Sequence, residues 1–136
     1  CNMEYMVLEA MLNGLEGITY YCFRDFDTPL DFYYHAKALA EVRPYEAILA
    51  DGKPVKLANN NADILCSAMQ NGNEILILLG NYLRADSKIQ LTLPLTGTCS
   101  ALDVLSGKPI AVKSSTVKVE VQPGNIALIH IRQTNP

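Results

Sequence analysis

The hydrophobic period of this chain changes once, near Pro54, and that change limits the folds open to it more than any other feature. Ahead of it, apolar residues recur every three or four positions, as in helices that bury one side. Beyond it they alternate, as in strands that bury one face. The spacing predicts strands over 62–70, 74–82, 88–93, 99–105, 109–113, 116–121 and 126–132. Asn71-Gly72-Asn73 reads as a hairpin turn, and Ser106-Gly107-Lys108 and Pro123-Gly124-Asn125 as two more. Ile89, Leu91 and Leu93 alternate with Lys88, Gln90 and Thr92, and Val117, Val119 and Val121 with Lys118 and Glu120, so these two strands each keep one wet face. Ile75 to Leu79 is apolar on both faces and is expected at the centre of its sheet. The fold expected is mainly β: over 53–136, an antiparallel two-sheet β-sandwich of about seven strands, Greek-key type.

Residues 1–52 have another character. Met3, Met6, Val7, Ala10 and Met11 predict a short amphipathic helix ending at Asn13-Gly14. Gly17 to Cys22 is apolar at nearly every position, like a strand covered on both faces. Thr28-Pro29-Leu30-Asp31 has the form of a capping box with proline at the first helical position. A long helix should follow, with Phe32, Ala36, Leu39 and Ala40 as its apolar stripe and Asp51-Gly52 as its stop. Pro44 inside it demands a kink at Arg43 or a junction of two helices. A covered strand followed by a helix needs parallel neighbours, and nothing later repeats the pattern. Residues 1–52, one strand and two helices, are therefore expected to be the tail of a larger α/β domain. The chain opens on Cys1 with no charged and apolar leader pattern, so either a segment was removed or this is a piece of a larger protein.

Segments GITYYCFRDFD, HAKALAEVRPYEAILADGKPV, EILILLGNY, ALDVLSGKPI and VEVQPGNIALIHI together resemble the end of a (β/α)8-barrel glycoside hydrolase of the α-amylase type or a related glycosidase. In that family the last barrel strand and helix are followed by a C-terminal β-sandwich. The resemblance spans nearly the whole chain. It implies that residues 17–22 are the eighth barrel strand and 28–51 the eighth helix. Barrel chemistry lies at the C-terminal ends of strands. The resemblance therefore implies that Arg24, Asp25 and Asp27 face the substrate cleft of the intact parent. The paired carboxylates of such enzymes come from middle strands that this chain lacks, so no catalytic residue is assigned to it.

The residues themselves offer several weaker candidates. Asp25 and Asp27 have the chemistry of a glycosidase carboxylate pair, but a solvated loop beside a helix N-terminus explains them more simply. With Asp31 they hint at a calcium loop, yet the glycine and closing glutamate of an EF-hand are missing, and no metal or other cofactor is expected. His35 stands one helical turn after Asp31, as a surface pair would, and His130 sits between Ile129 and Ile131 as a sheet-face histidine. Asn59-Asn60-Asn61 suits sugar hydroxyls or a linker. Tyr20, Tyr21, Tyr33, Tyr34 and Tyr45 suit a carbohydrate cleft or helix packing. The serines show no nucleophile elbow, and no phosphate loop is present. Cys1, Cys22, Cys66 and Cys99 form no C-x-x-C pair and read as buried thiols, a disulfide remaining open.

A net charge of -3 with no Lys/Arg cluster argues against nucleic acid, and no apolar run approaches the ~20 residues of a membrane helix. The expected role is a non-catalytic C-terminal region of a carbohydrate-active enzyme, with the missing N-terminal barrel as partner. The alternative is a free-standing carbohydrate- or protein-binding module. The absence of tryptophan and the single aromatic residue of the second half, Tyr82, weigh against the sugar-binding form of that alternative. An exposed sheet edge leaves dimerisation open. A parent that degrades external polysaccharide would be secreted or periplasmic.

Overall fold

The computed structural model describes residues 2–15 and 28–135. The strand expected over 17–22 lies outside the described residues. Helix α1 (Asn2–Leu12) ends where Gly14 takes a φ of +85°. Helix α2 (Pro29–Val42) starts as its cap residues require: the Thr28 N–H donates to the Asp31 carboxylate at 2.9 Å. Pro44 cannot supply an amide to a continuing helix, so a 3-10 turn (Arg43–Tyr45) follows, and then helix α3 (Glu46–Asp51). At Gly52 the chain passes so close to its neighbours that an added Cβ would lie 2.1 Å from the Ile48 carbonyl oxygen and 2.9 Å from that of Gln70. Only glycine lets the helix hand over to the sheet there.

Ten strands follow, three more than the period predicts. The first two are β1 (Lys53–Pro54) and β2 (Ala58–Asn59), each too short to show a period. Then come β3 (Leu65–Asn71), β4 (Glu74–Gly80), β5 (Ser87–Thr92) and β6 (Thr98–Asp103). Residues 109–113, expected as one strand, divide between β7 (Lys108–Ile110) and β8 (Val112–Lys113), which join different sheets. β9 (Thr116–Val121) and β10 (Ile126–Asn135) complete the set. A six-stranded sheet runs β1-β3-β4-β10-β6-β7 and a four-stranded sheet β2-β5-β9-β8, with every pairing antiparallel. β10 follows β9 through the short turn over 122–125, crossing to the larger sheet to lie between β4 and β6.

The two sheets enclose one core, with Ile75, Ile77 and Leu79 of β4 and Ile129 of β10 meeting Ile89 and Leu91 of β5 and Val117 of β9. The helices cover the other face of the larger sheet. There Tyr5, Leu8, Leu12, Val42 and Ile48 pack on Met69, Leu76, Leu78 and Leu128. β4 is thus apolar at every central position because it has a core on each side, which places it centrally as expected.

Both helices turn differently from their predicted stripes. α1 buries Tyr5, Val7, Leu8 and Leu12, while Met6 is 58% exposed. α2 buries only Ala38 and Val42. Phe32, Ala36, Leu39 and Ala40, the residues expected as its apolar stripe, are exposed. The reason lies in what α2 meets: it packs chiefly on α1, with Ala38 and Val42 turned into the core that α1 shares with the sheet, and the Lys37–Glu4 ion pair ties the two helices in that orientation.

Candidate functional site

Arg24, Asp25 and Asp27 lie outside the described residues, which reach the adjoining cap at Thr28. Asp31 is engaged there, its Oδ2 accepting both the Thr28 N–H and, at 3.2 Å, the Thr28 hydroxyl. Among the described residues no group of three His, Cys, Asp or Glu is arranged to hold a metal ion. Cys66 and Cys99 are free, half-buried thiols. Burial, with the nearby Glu9 carboxylate second, pushes the Cys66 thiol up to about 11, away from a reactive thiolate. Cys1 and Cys22 lie outside the described residues.

The motifs that carry the family resemblance turn out to be staples. Asn81 is fully buried. Its Nδ2 donates to the Val121 carbonyl at 2.7 Å and to that of Ala85 at 3.0 Å, while its Oδ1 accepts the Leu83 N–H at 3.0 Å. One amide at the end of β4 therefore satisfies three backbone groups and ties the larger sheet to β9 of the smaller one. Asp103 does the same for the β6–β7 turn, where Oδ1 accepts the Leu105 N–H at 3.1 Å and Oδ2 the Ser106 hydroxyl at 2.5 Å. The Asn59–Asn61 run is also consumed locally. Asn60 Oδ1 takes the Gln90 N–H at 2.7 Å, and Asn59 and Asn61 accept amides two residues on.

Two titratable clusters face the helix layer. His130 on β10 approaches Glu74 at 3.2 Å, its ring lies 4.7 Å from that of Tyr45, and Arg132 reaches the same Glu74 oxygen at 3.5 Å. Burial lowers the His130 pKa, and Glu74 only partly offsets that. The pairing of Arg132 with Glu74 and His130 with Leu76 sets these side chains on one face. That neighbourhood was hidden in the sequence, since it needs the β4–β10 register. The second cluster joins the helices. Lys37 of α2 lies between Glu4 of α1 and Glu41 of its own helix.

The best-formed concavities are shallow. A groove of about 320 Å³ crosses the outer face of the four-stranded sheet, lined by Lys88, Gln90, Lys118, Val119 and Glu120 with Asn60 at its end. It contains no aromatic platform for a pyranose ring. Tyr20 and Tyr21 lie outside the described residues, and the described tyrosines are elsewhere. Tyr5 and Tyr82 stack edge-on at 5.3 Å across Gly80, where a Cβ would stand 2.8 Å from the Tyr5 ring, and Tyr33 and Tyr34 make a second edge-on pair. The remaining distinctive surface is the exposed side of α2, with Leu30, Tyr33, Ala36, Leu39 and Ala40.

No protein-family model and no curated protein sequence matches this chain. Solved structures do. A maltogenic α-amylase from Thermotoga neapolitana matches with a TM-score of 0.63 at 15% identity, over 96% of this chain and 37% of its own. An Anoxybacillus α-amylase matches with a TM-score of 0.59 at 16% identity, over 85% of this chain and 25% of its own. A putative α-N-acetylgalactosaminidase from Bacillus halodurans matches with a TM-score of 0.62 at 13% identity, over 99% of this chain and 32% of its own. At these identities the likeness establishes the fold. The chain spans about a quarter to just over a third of the length of these structures.

Proposed function

We propose that the chain is the non-catalytic C-terminal region of a glycoside hydrolase and that it stabilises a catalytic barrel preceding it. The observation that carries this reading is the orientation of α2. On a helix of 3.6 residues per turn, Tyr33, Ala36 and Ala40 centre on the side opposite Ala38 and Val42, with Leu39 at its margin. α2 thus has two sides fit for burial, and its packing on α1 and the shared helix–sheet core uses only the Ala38–Val42 one. A helix apolar on the side away from its own sheet suits a place between two layers. A barrel whose outer helices rest on parallel strands offers such a layer. The similarity in fold to parts of glycoside hydrolases adds support. Arg24, Asp25 and Asp27 would then border the cleft of the parent, while the groove on the four-stranded sheet stays solvated.

At about 25 cal/mol per Å² of apolar surface, covering such a stripe contributes several kcal/mol before entropic losses. The test is the double substitution Ala36→Glu/Ala40→Glu in the full-length protein encoded by the parent reading frame. A lowered melting temperature is expected, with kcat/KM on an aryl glycoside unchanged well below the transition. The isolated chain should not hydrolyse that substrate. A reading frame without an upstream alternating βα pattern, or a parent whose melting temperature ignores the substitutions, would overturn the proposal.

A further inference from the structure

The junction between α1 and α2 contains one polar atom without a partner. Lys37, its side chain 36% exposed, places Nζ 2.5 Å from Glu4 Oε1 and 3.1 Å from Glu41 Oε1. The Glu4 and Glu41 side chains are 6% and 16% exposed. Glu41 Oε2 is buried with no hydrogen-bond donor. Two carboxylates thus share a single ammonium in a place with little water. An orphaned buried carboxylate oxygen is costly, because it loses its hydration without recovering the hydrogen bonds.

We propose that Glu41 carries a proton on Oε2 and donates it to the Glu4 carboxylate, so that Glu4, Lys37 and Glu41 form a proton-dependent clamp between α1 and α2. A proton is the donor that the geometry lacks. It satisfies Oε2, leaves Glu4 to accept from both Lys37 and Glu41, and reduces the junction from a net charge of -1 to zero. Glu4 and Glu41 meet at the same ammonium, their Oε1 atoms 2.5 and 3.1 Å from Lys37 Nζ. Burial is the largest influence raising the Glu41 pKa; Lys37 opposes it, and the Glu4 charge and hydrogen bond reinforce it. The other acid on α1, Glu9, is engaged with Tyr5, Ser67 and Asn13. Arg43, in the turn after α2, makes no ion pair with Glu41 among the described residues.

The sign follows from linkage. A carboxyl group whose folded pKa lies above its unfolded value contributes stability at acid pH, and that contribution fades as pH rises through the folded pKa, when the proton leaves to solvent. His130 acts in the opposite sense: its pKa is lowered in the fold, so its contribution fades as pH falls. Comparison with a Glu41 variant therefore isolates the clamp. This inference concerns the chain itself and does not depend on the parent enzyme.

The experiment pairs a carbon-13 NMR titration of the glutamate carboxyls in the wild-type chain with urea unfolding across pH of wild type and Glu41→Gln. The glutamine keeps a donor toward Glu4 and an acceptor for Lys37. The Glu41 carboxyl is expected to titrate above its ordinary 4.5, and Lys37→Met should move it higher still. The stability of wild type relative to Glu41→Gln should decline through the Glu41 midpoint. A Glu41 carboxyl that titrates at or below 4.5, or parallel stability curves for the two proteins, would overturn the proposal. If Glu41→Gln fails to fold, the wild-type titration alone decides.

Discussion

The outer face of the four-stranded sheet and the outer side of α2 are both exposed, yet they are built on opposite rules. On the sheet, Lys88, Gln90 and Thr92 alternate with buried Ile89 and Leu91, and Lys118 and Glu120 stand beside them, so the fully exposed residues of these two strands are all polar. On α2, Leu30 is 56% and Tyr33 57% exposed, with Ala36, Leu39 and Ala40 alongside, while Lys37 and Glu41 turn toward α1. One surface is complete against solvent. The other uses its charges inward and its apolar groups outward, the inverse of a surface helix with water as its only neighbour. Composition alone does not distinguish them, because each region holds apolar and charged residues in ordinary proportion. The lesson is that the direction a stripe faces, rather than its presence, is what the proposed contact with a barrel rests on.

The strongest way to sharpen this contrast is to cut each core separately from β4. Ile77→Ala opens the sheet–sheet core and Leu78→Ala the helix–sheet core, and each is expected to cost ~2–5 kcal/mol in urea unfolding. If the helix layer and sandwich unfold as one unit, both variants keep a single transition reported alike by helical and strand circular dichroism. A helical signal that melts ahead of the strands in Leu78→Ala alone would make the helix layer a separable unit. Next in size is Asn81→Ala, which leaves the Val121, Ala85 and Leu83 backbone groups without their partner and should cost ~1–3 kcal/mol. Hydrogen exchange should then rise at Leu83 before the sheet interior. Unchanged exchange there would show that water replaces the amide. Smallest are Ala40→Glu on α2 and Lys118→Ala on the sheet, each expected within about 0.5 kcal/mol in the isolated chain. In the parent only Ala40→Glu should matter, and equal effects of the two would dissolve the contrast between the faces.

Much of the fold was legible because it rests on local rules. The Asn71–Asn73 turn pairs β3 with β4 as its residues require, and Gly72 takes a φ of +56°. Thr28-Pro29-Leu30-Asp31 starts a helix, and Pro44 breaks it, for reasons contained in four residues and one ring. Less legible were β1 and β2, whose two residues each cannot express a period, and the division of residues 109–113 between sheets, which depends on where two separate partners lie. The site-like features were the least legible. Asn81 and Asp103 could be quoted as motifs, but their hydrogen-bond partners reveal structural roles. The neighbours of His130 exist only after β10 comes to lie beside β4, and the Lys37 clamp needs Glu4 and Lys37, 33 residues apart in sequence, to meet.

By itself, then, the sequence determined the kinds of elements, their turns and caps, and the doubly covered position of β4, since each follows from neighbours a few residues away. It also determined that α2 would have an apolar stripe. Only the tertiary structure decided which side of α1 and α2 the sheet would take, which polar groups would be used up as staples, and where two acids would share one lysine. Periodicity records that a face avoids water, whereas the surface that covers it is chosen by packing among segments far apart in the chain.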